Sequence, residues 1–279
     1  MPIHPTAVIE TGARIHATAD IGPFCIVGPK VTIGPGTKLH HSVTITGRTT
    51  IGARNVVHPY AVLGGDPQDL KYKGEDSVLV IGDENIVREG ATINKGTWFG
   101  GNQTVVGNRN LIMATAHVAH DSVIEDHCIL ANCVLLAGHV RIESHAILSG
   151  WVVVHHFATV GQHAFVGGGS RVNQDAPPYM IMQGMAGEIR GVNVVGLRRR
   201  GFKSDAIQAL REAYKIVWRS GLPKPDAIAE LEKSYGQFPE IQTLIEFLRA
   251  SDHGHMGRAR DSHRPPPAAP QDPEDEMLA

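Results

Sequence analysis

An aliphatic residue recurs at every sixth position along most of the chain. From Ile3 the beat runs through Ile9, Ile15, Ile21, Val27, Ile33, Leu39, Ile45, Ile51, Val57 and Leu63, and it returns at Ile81, Val87 and Ile93. It resumes at Val106 and continues through Ile112, Val118, Ile124, Leu130, Leu136, Ile142, Leu148, Val154, Val160 and Val166 to Val172. Four residues after many beats stands a small side chain, as at Ala7, Ala13, Ala19, Cys25, Ala116, Ser122, Cys128, Ala158 and Ala164. A period of six is neither the two of a half-buried strand nor the 3.6 of an amphipathic helix. It is the signature of a parallel β-helix, in which each hexad supplies a short strand and a turn. Three hexads close a triangular coil of about 18 residues, with the aliphatic beat pointing inward. Neighbouring coils bury one another's edges, so stability accumulates from coil to coil. The period leaves the handedness open.

Two stretches break the beat. Between Leu63 and Ile81 lies "GGDPQDLKYKGEDSVLV", with charged residues where two beats fall due. Between Ile93 and Val106 the segment containing "TWFGGNQT" shifts the phase by one residue. Both predict loops pushed out of a coil, and loops on a rigid scaffold are where function concentrates. The repeat is expected to end near Ala176. From an N-cap at Ser204, a helix carrying Ile207, Leu210, Tyr214 and Val217 on one face is expected, stopped by Gly221 and Pro223. Two further helices are expected near Ile228–Tyr235 and Ile241–Leu248. The expected organisation is all-β, a parallel β-helix over 1–196, then a small helical domain over 197–250. Residues 251–279, rich in Pro and charge without apolar period, read as a disordered tail.

Composition narrows the function classes. A formal net charge of −2 supplies no global field for nucleic acid. No apolar run reaches the ~18 residues of a membrane span, and "MPIHPTAVIE" lacks the basic and apolar regions of a secretory signal. Three cysteines without a CxxC pair fit a reduced, cytoplasmic protein. Cys25 and Cys128 fall at the small inward position, where a thiol is a compact filler.

The chemistry gathers in one column. Hexads three apart stack on one face, so HVAHDS (117–122) lies under LLAGHV (135–140) and VVHHFA (153–158). His117, His120, His139, His155 and His156 therefore rise along roughly 10 Å of one face. Three readings compete. Histidines are tolerated in turns, and His145 and His163 fit that role. Imidazoles also bind zinc or iron, although only Asp121 adds a carboxylate. Acid–base catalysis is the favoured reading, because imidazole titrates near neutrality and Asp121 directly follows His120. Their contact requires a turn, since adjacent side chains on a strand point to opposite faces.

The stretches "AHVAHD", "LAGHV", "PQDLKY", "DAPPY" and above all "GVNVVGLRRRGF" (191–202) resemble the UDP-N-acetylglucosamine O-acyltransferases of lipid A biosynthesis, over roughly residues 3–250. The resemblance implies a left-handed β-helix, a homotrimer with sites between subunits, and no cofactor or metal. It implies transfer of a 3-hydroxyacyl chain from acyl carrier protein to the 3-hydroxyl of UDP-N-acetylglucosamine. By motif, His120 is then the general base, Asp121 its orienting partner, and the Gly138 N–H the oxyanion donor. His117, His139 and His155 match supporting histidines of the pocket, and Asp69 and Lys71 match positions near the sugar and acyl group. Asn193, Arg199 and Arg200 match positions near the nucleotide. Gly168 falls where the family sets acyl length and leaves the groove open to a longer chain, with Phe165 nearby. His156, counted with the substrate-binding residues, stands where some members carry glutamine, and Val195 where some carry an acidic residue. The stretch "GMAGEIRG" also departs from the family pattern.

Between 197 and 224, eight Lys or Arg face two acidic residues, a balance of +6 that suits an acidic partner such as acyl carrier protein. Arg198, Lys203, Arg211, Lys215 and Arg219 are the expected contacts. Three rivals remain: the related lipid A N-acyltransferase, a metal-dependent carbonic anhydrase on the same helix, and a non-catalytic scaffold.

Overall fold

A computed structural model describes residues 3–252 and Gly257. Its strands form three sheets of nine, eight and ten strands that wind as a left-handed parallel β-helix. We call them the first, second and third faces in the order the chain first visits them, at Val8–Ile9, Arg14–Ile15 and Asp20–Ile21. Standard register is eighteen residues, as in Val8↔Ile26 and His117↔Leu135. From Ile21 onward every beat position is at most 3% exposed, and together these residues form one continuous aliphatic column.

The turns explain how short strands close a triangle. Among the described residues, seventeen other than glycine have φ near +60°, most of them three residues after a beat, including Phe24, Asp121, His139, Phe157 and His163. That left-handed conformation costs a side-chain-bearing residue about 1–2 kcal/mol. The coil offsets it by satisfying the turn N–H from the coil below, as His139 N donates to His120 O at 3.0 Å.

Both interruptions are extrusions from a coil. Val62 pairs with Thr92, thirty residues on rather than eighteen, so the first loop adds twelve, which is two hexads, and leaves the beat in phase. Thr92 pairs with His117, twenty-five residues on, so the second adds seven and shifts the phase by one.

Three expectations need correcting. The helix does not stop near Ala176, because Met180–Gln183 extends the third face parallel to Phe165–Val166. Glu188–Val192 then folds back antiparallel. Buried Met182 fills the last layer of the column, so apolar volume carries the coil on after the hexad register is lost. Ser204 is the first residue of its helix rather than the cap. Extended Lys203 holds the cap position without a side-chain bond.

Four helices follow the strands: α1 Val194–Arg199, α2 Ser204–Arg219, α3 Lys224–Tyr235 and α4 Pro239–Asp252. Helix α1 was not expected. Its second core joins Leu197, Leu210, Leu231, Ile241 and Leu244 to Tyr179 and Met180, so the helices pack on the end of the β-helix. Ser251 and Asp252, expected to begin a disordered tail, close α4, and Ser251 Oγ donates to Asp175. The rest of that tail, Gly257 apart, lies outside the described residues. No described helix is long and apolar enough to cross a membrane.

Candidate active site

The stacked hexads of the first face bring His117, His120, Gly138, His139 and His156 together. The first loop adds Asp69 and Lys71, and the result is a cleft of about 860 Å³ whose apolar wall includes Leu135, Val153 and Phe157. That volume lies within the ~300–1,000 Å³ range of small-molecule sites. His117 Nδ1 meets Thr92 Oγ1 at 2.7 Å, and burial, with His120 close by, lowers its pKa.

The turn that sequence reasoning required is present, because Asp121 sits at φ 59°. Its Oδ2 lies 2.7 Å from His120 Nδ1. Since the carboxylate accepts, Nδ1 carries the proton and Nε2 is left as the basic nitrogen. Asp69 Oδ2 lies 3.8 Å from that Nε2. The Asp121 side chain is fully buried, its Oδ1 accepting from Thr97 N at 2.8 Å and its Oδ2 from Thr97 Oγ1 at 2.5 Å. The extruded second loop supplies these donors and sets Phe99 edge-on to His120 and tilted against His139, with ring centres 6.5 and 6.3 Å apart. A Cβ on Gly100 would lie 2.0 Å from Asp121 Cγ, so only glycine fits against the carboxylate. Phe157 stacks on His139 with ring centres 4.5 Å apart.

Gly138 is explained twice. A Cβ there would stand 2.5 Å from His120 Cε1 and 2.7 Å from Nε2, so the imidazole rests directly on its backbone. Its position, two residues after a beat, is held elsewhere by Pro23, Pro29, Pro35 and Pro59, which have no N–H. The ladder therefore does not use this N–H, and at Gly138 it donates to no described residue. A free backbone donor beside a basic imidazole nitrogen suits a developing oxyanion.

Other predicted residues lie apart from this cleft. His155 is not among its lining residues, and its Nδ1 is 3.4 Å from His156 O. Gly168 lies in a turn that follows the third face, at Phe165–Val166, whereas His120 lies in a turn that follows the first. Buried Asn193 caps α1 by accepting from Gly196 N at 3.1 Å and ties it to the β-helix by donating to His163 O at 3.0 Å. Arg200 Nη1 donates to His145 Nδ1 at 2.6 Å, on the edge after the second face. Arg198 and Arg199 are exposed beside it, as are Lys203, Arg211, Lys215 and Arg219 on or next to α2. Lys215 pairs with Glu212 at 2.9 Å, and Arg219 donates to Tyr214 Oη at 2.7 Å. Burial raises the Cys128 thiol to about 12, in keeping with its role as a filler. Thr97, Phe99 and Gly100 were missed, although the phase slip at Val106 marked their loop.

Residues 175–256 match the model of UDP-N-acetylglucosamine O-acyltransferase domain 2, and residues 103–138 match the bacterial transferase hexapeptide model. The chain is 46% identical over 252 residues to the acyl-[acyl-carrier-protein]–UDP-N-acetylglucosamine O-acyltransferase of Stutzerimonas stutzeri, covering 90% of this chain and 98% of that one. It belongs to the UDP-N-acetylglucosamine O-acyltransferase family. The family's solved structures agree in shape. LpxA of Acinetobacter baumannii superposes with TM-score 0.86 at 43% identity, covering 89% of this chain and 97% of that one. The Moraxella catarrhalis enzyme gives 0.88 at 43%, covering 90% and 98%.

Proposed function

We propose that the chain transfers a 3-hydroxyacyl group from acyl carrier protein to the 3-hydroxyl of UDP-N-acetylglucosamine, the first step of lipid A synthesis, in the cytoplasm. The observation that carries the reading is His120, oriented by buried Asp121 and resting on the backbone of Gly138, whose N–H donates to no described residue. His120 Nε2 takes the hydroxyl proton, and the oxygen attacks the thioester carbonyl directly. The oxyanion accepts from Gly138 N–H. The intermediate then collapses, breaking the carbon–sulfur bond, and the thiolate leaves with the proton that His120 returns. General base catalysis of this kind contributes about 10²–10⁴-fold, and neither a metal nor a cofactor is called for. Asp69, Lys71, His117, His139 and His156 line the sugar and acyl site.

Gly168, Asn193, Arg199 and Arg200 stand on other edges of the prism, so they reach a His120 cleft only from a second copy. This supports a homotrimer with sites between subunits. The exposed basic residues of and around α2 fit the acidic carrier.

The metal reading gains one observation, since ligand atoms of His120, Asp121 and His139 lie within 4.8 Å of one another. Against it, both Asp121 oxygens already accept from Thr97 and His120. The test is acyl transfer from 3-hydroxyacyl carrier proteins of several lengths, with His120→Ala beside wild type and the 3-amino sugar beside the 3-hydroxyl. Loss of transfer in a folded His120→Ala protein supports the reading. An inactive wild type, or activity abolished by a chelator, overturns it.

A further inference from the structure

We infer that Thr97 shares the charge of the Asp121 carboxylate and thereby limits the pull of that carboxylate on the His120 proton. Thr97 is fully buried, and its hydroxyl donates to Oδ2, the same oxygen that receives His120 Nδ1–H. Its own backbone N–H occupies Oδ1. Gly100 N and Asn102 N donate to Thr97 O at 3.1 and 2.8 Å, which fixes the residue within its loop.

A carboxylate that accepts from several donors spreads its charge among them. The hydroxyl of Thr97 therefore weakens the pull of Asp121 on the His120 proton. Other groups also face the imidazole: Asp69 and Lys71 from the first loop, His117 from the strand before it, and His139 from the next coil. All of these remain when Thr97 alone is changed. Thr97 touches no reacting atom, so it is a positioning residue that acts through Asp121.

The inference rests on His120 being the base, and its test has one arm that does not. Thr97→Val, with Thr97→Ser beside it, is followed by the kcat/KM profile and by NMR titration of the His120 ring. In Thr97→Val the acid limb and the ring's midpoint are expected to move up together by about one pH unit, so that activity below the limb falls about tenfold. The high-pH plateau stays within a few-fold of wild type, and Thr97→Ser behaves as wild type. In an Asp121→Asn background the valine substitution should no longer move the midpoint, because the group it acts through has gone.

A midpoint that stays or falls in Thr97→Val overturns the inference. So does an equal shift in the Asp121→Asn background, or a plateau that drops with no change of profile. If wild type transfers no acyl group, the functional reading fails, while the NMR arm still decides the role of Thr97.

Discussion

Gly138→Ala gives the sharpest test of how the site is built. The added methyl carbon would stand 2.5 Å from His120 Cε1, whereas carbon contacts settle at about 3.5–4.0 Å. The ring must therefore retreat by about 1 Å or more. Its Nδ1 is 2.7 Å from Asp121 Oδ2, so a displacement of that size spoils the distance or the angle of that bond whichever way the ring moves. Asp121 cannot follow, because Thr97 and Gly100 wall it in. A misplacement of about 1 Å costs on the order of 10²-fold in rate, or about 2.7 kcal/mol of barrier. Gly138 does not have a positive φ, so alanine adds no backbone strain, and the melting temperature is expected to move by only a few degrees. Single-turnover acyl transfer and calorimetry on the same preparation read both quantities. A variant with wild-type kcat would refute the placement of the imidazole over Gly138. A loss explained by global unfolding would refute the claim that the defect is local.

Two further outcomes concern the helical end. Reversing Arg211 and Lys215 to Glu is expected to raise KM for the carrier about tenfold at low salt and to leave KM for the nucleotide sugar unchanged; unchanged carrier kinetics would exclude α2 as the docking surface. His163 is held down to about 4, mainly by burial and then by His145 and Arg200, and its Nδ1 has no hydrogen-bond partner among the described residues. Its unfolded value is near 6.5, so the unfolded chain takes the proton first, and stability present above about pH 6.5 is lost as pH falls toward 4. His163→Phe keeps a ring at a turn position that Phe24 and Phe157 also occupy. It should flatten the fall in melting temperature over that window, and an unaltered pH dependence would assign the effect to other groups.

The sequence by itself determined the scaffold and the column of the site. A six-residue period reports which way each side chain points, and that is a local property of strand and turn. Stacking by eighteen then follows by counting, so His117, His120, Gly138 and His139 could be placed on one face before any coordinates. The interruptions were legible as loops because they broke the count, and the one-residue slip is the residue left over from a seven-residue extrusion.

Only the tertiary structure decided what those loops touch. Thr97 meets Asp121 across twenty-four positions of sequence, and Phe99 meets His120 edge-on, because the chain there leaves the repeat, where periodicity carries no information. The same limit applies to α1 and the Met180–Val192 strand pair, whose apolar residues close the end of the column rather than repeat within it. Counting by six already puts Gly168 and His155 on different turns, but only the packing brings Arg200, just beyond α1, onto the edge of His145. Periodicity fixes directions within a coil; distances between edges, loops and helices depend on how the whole chain packs.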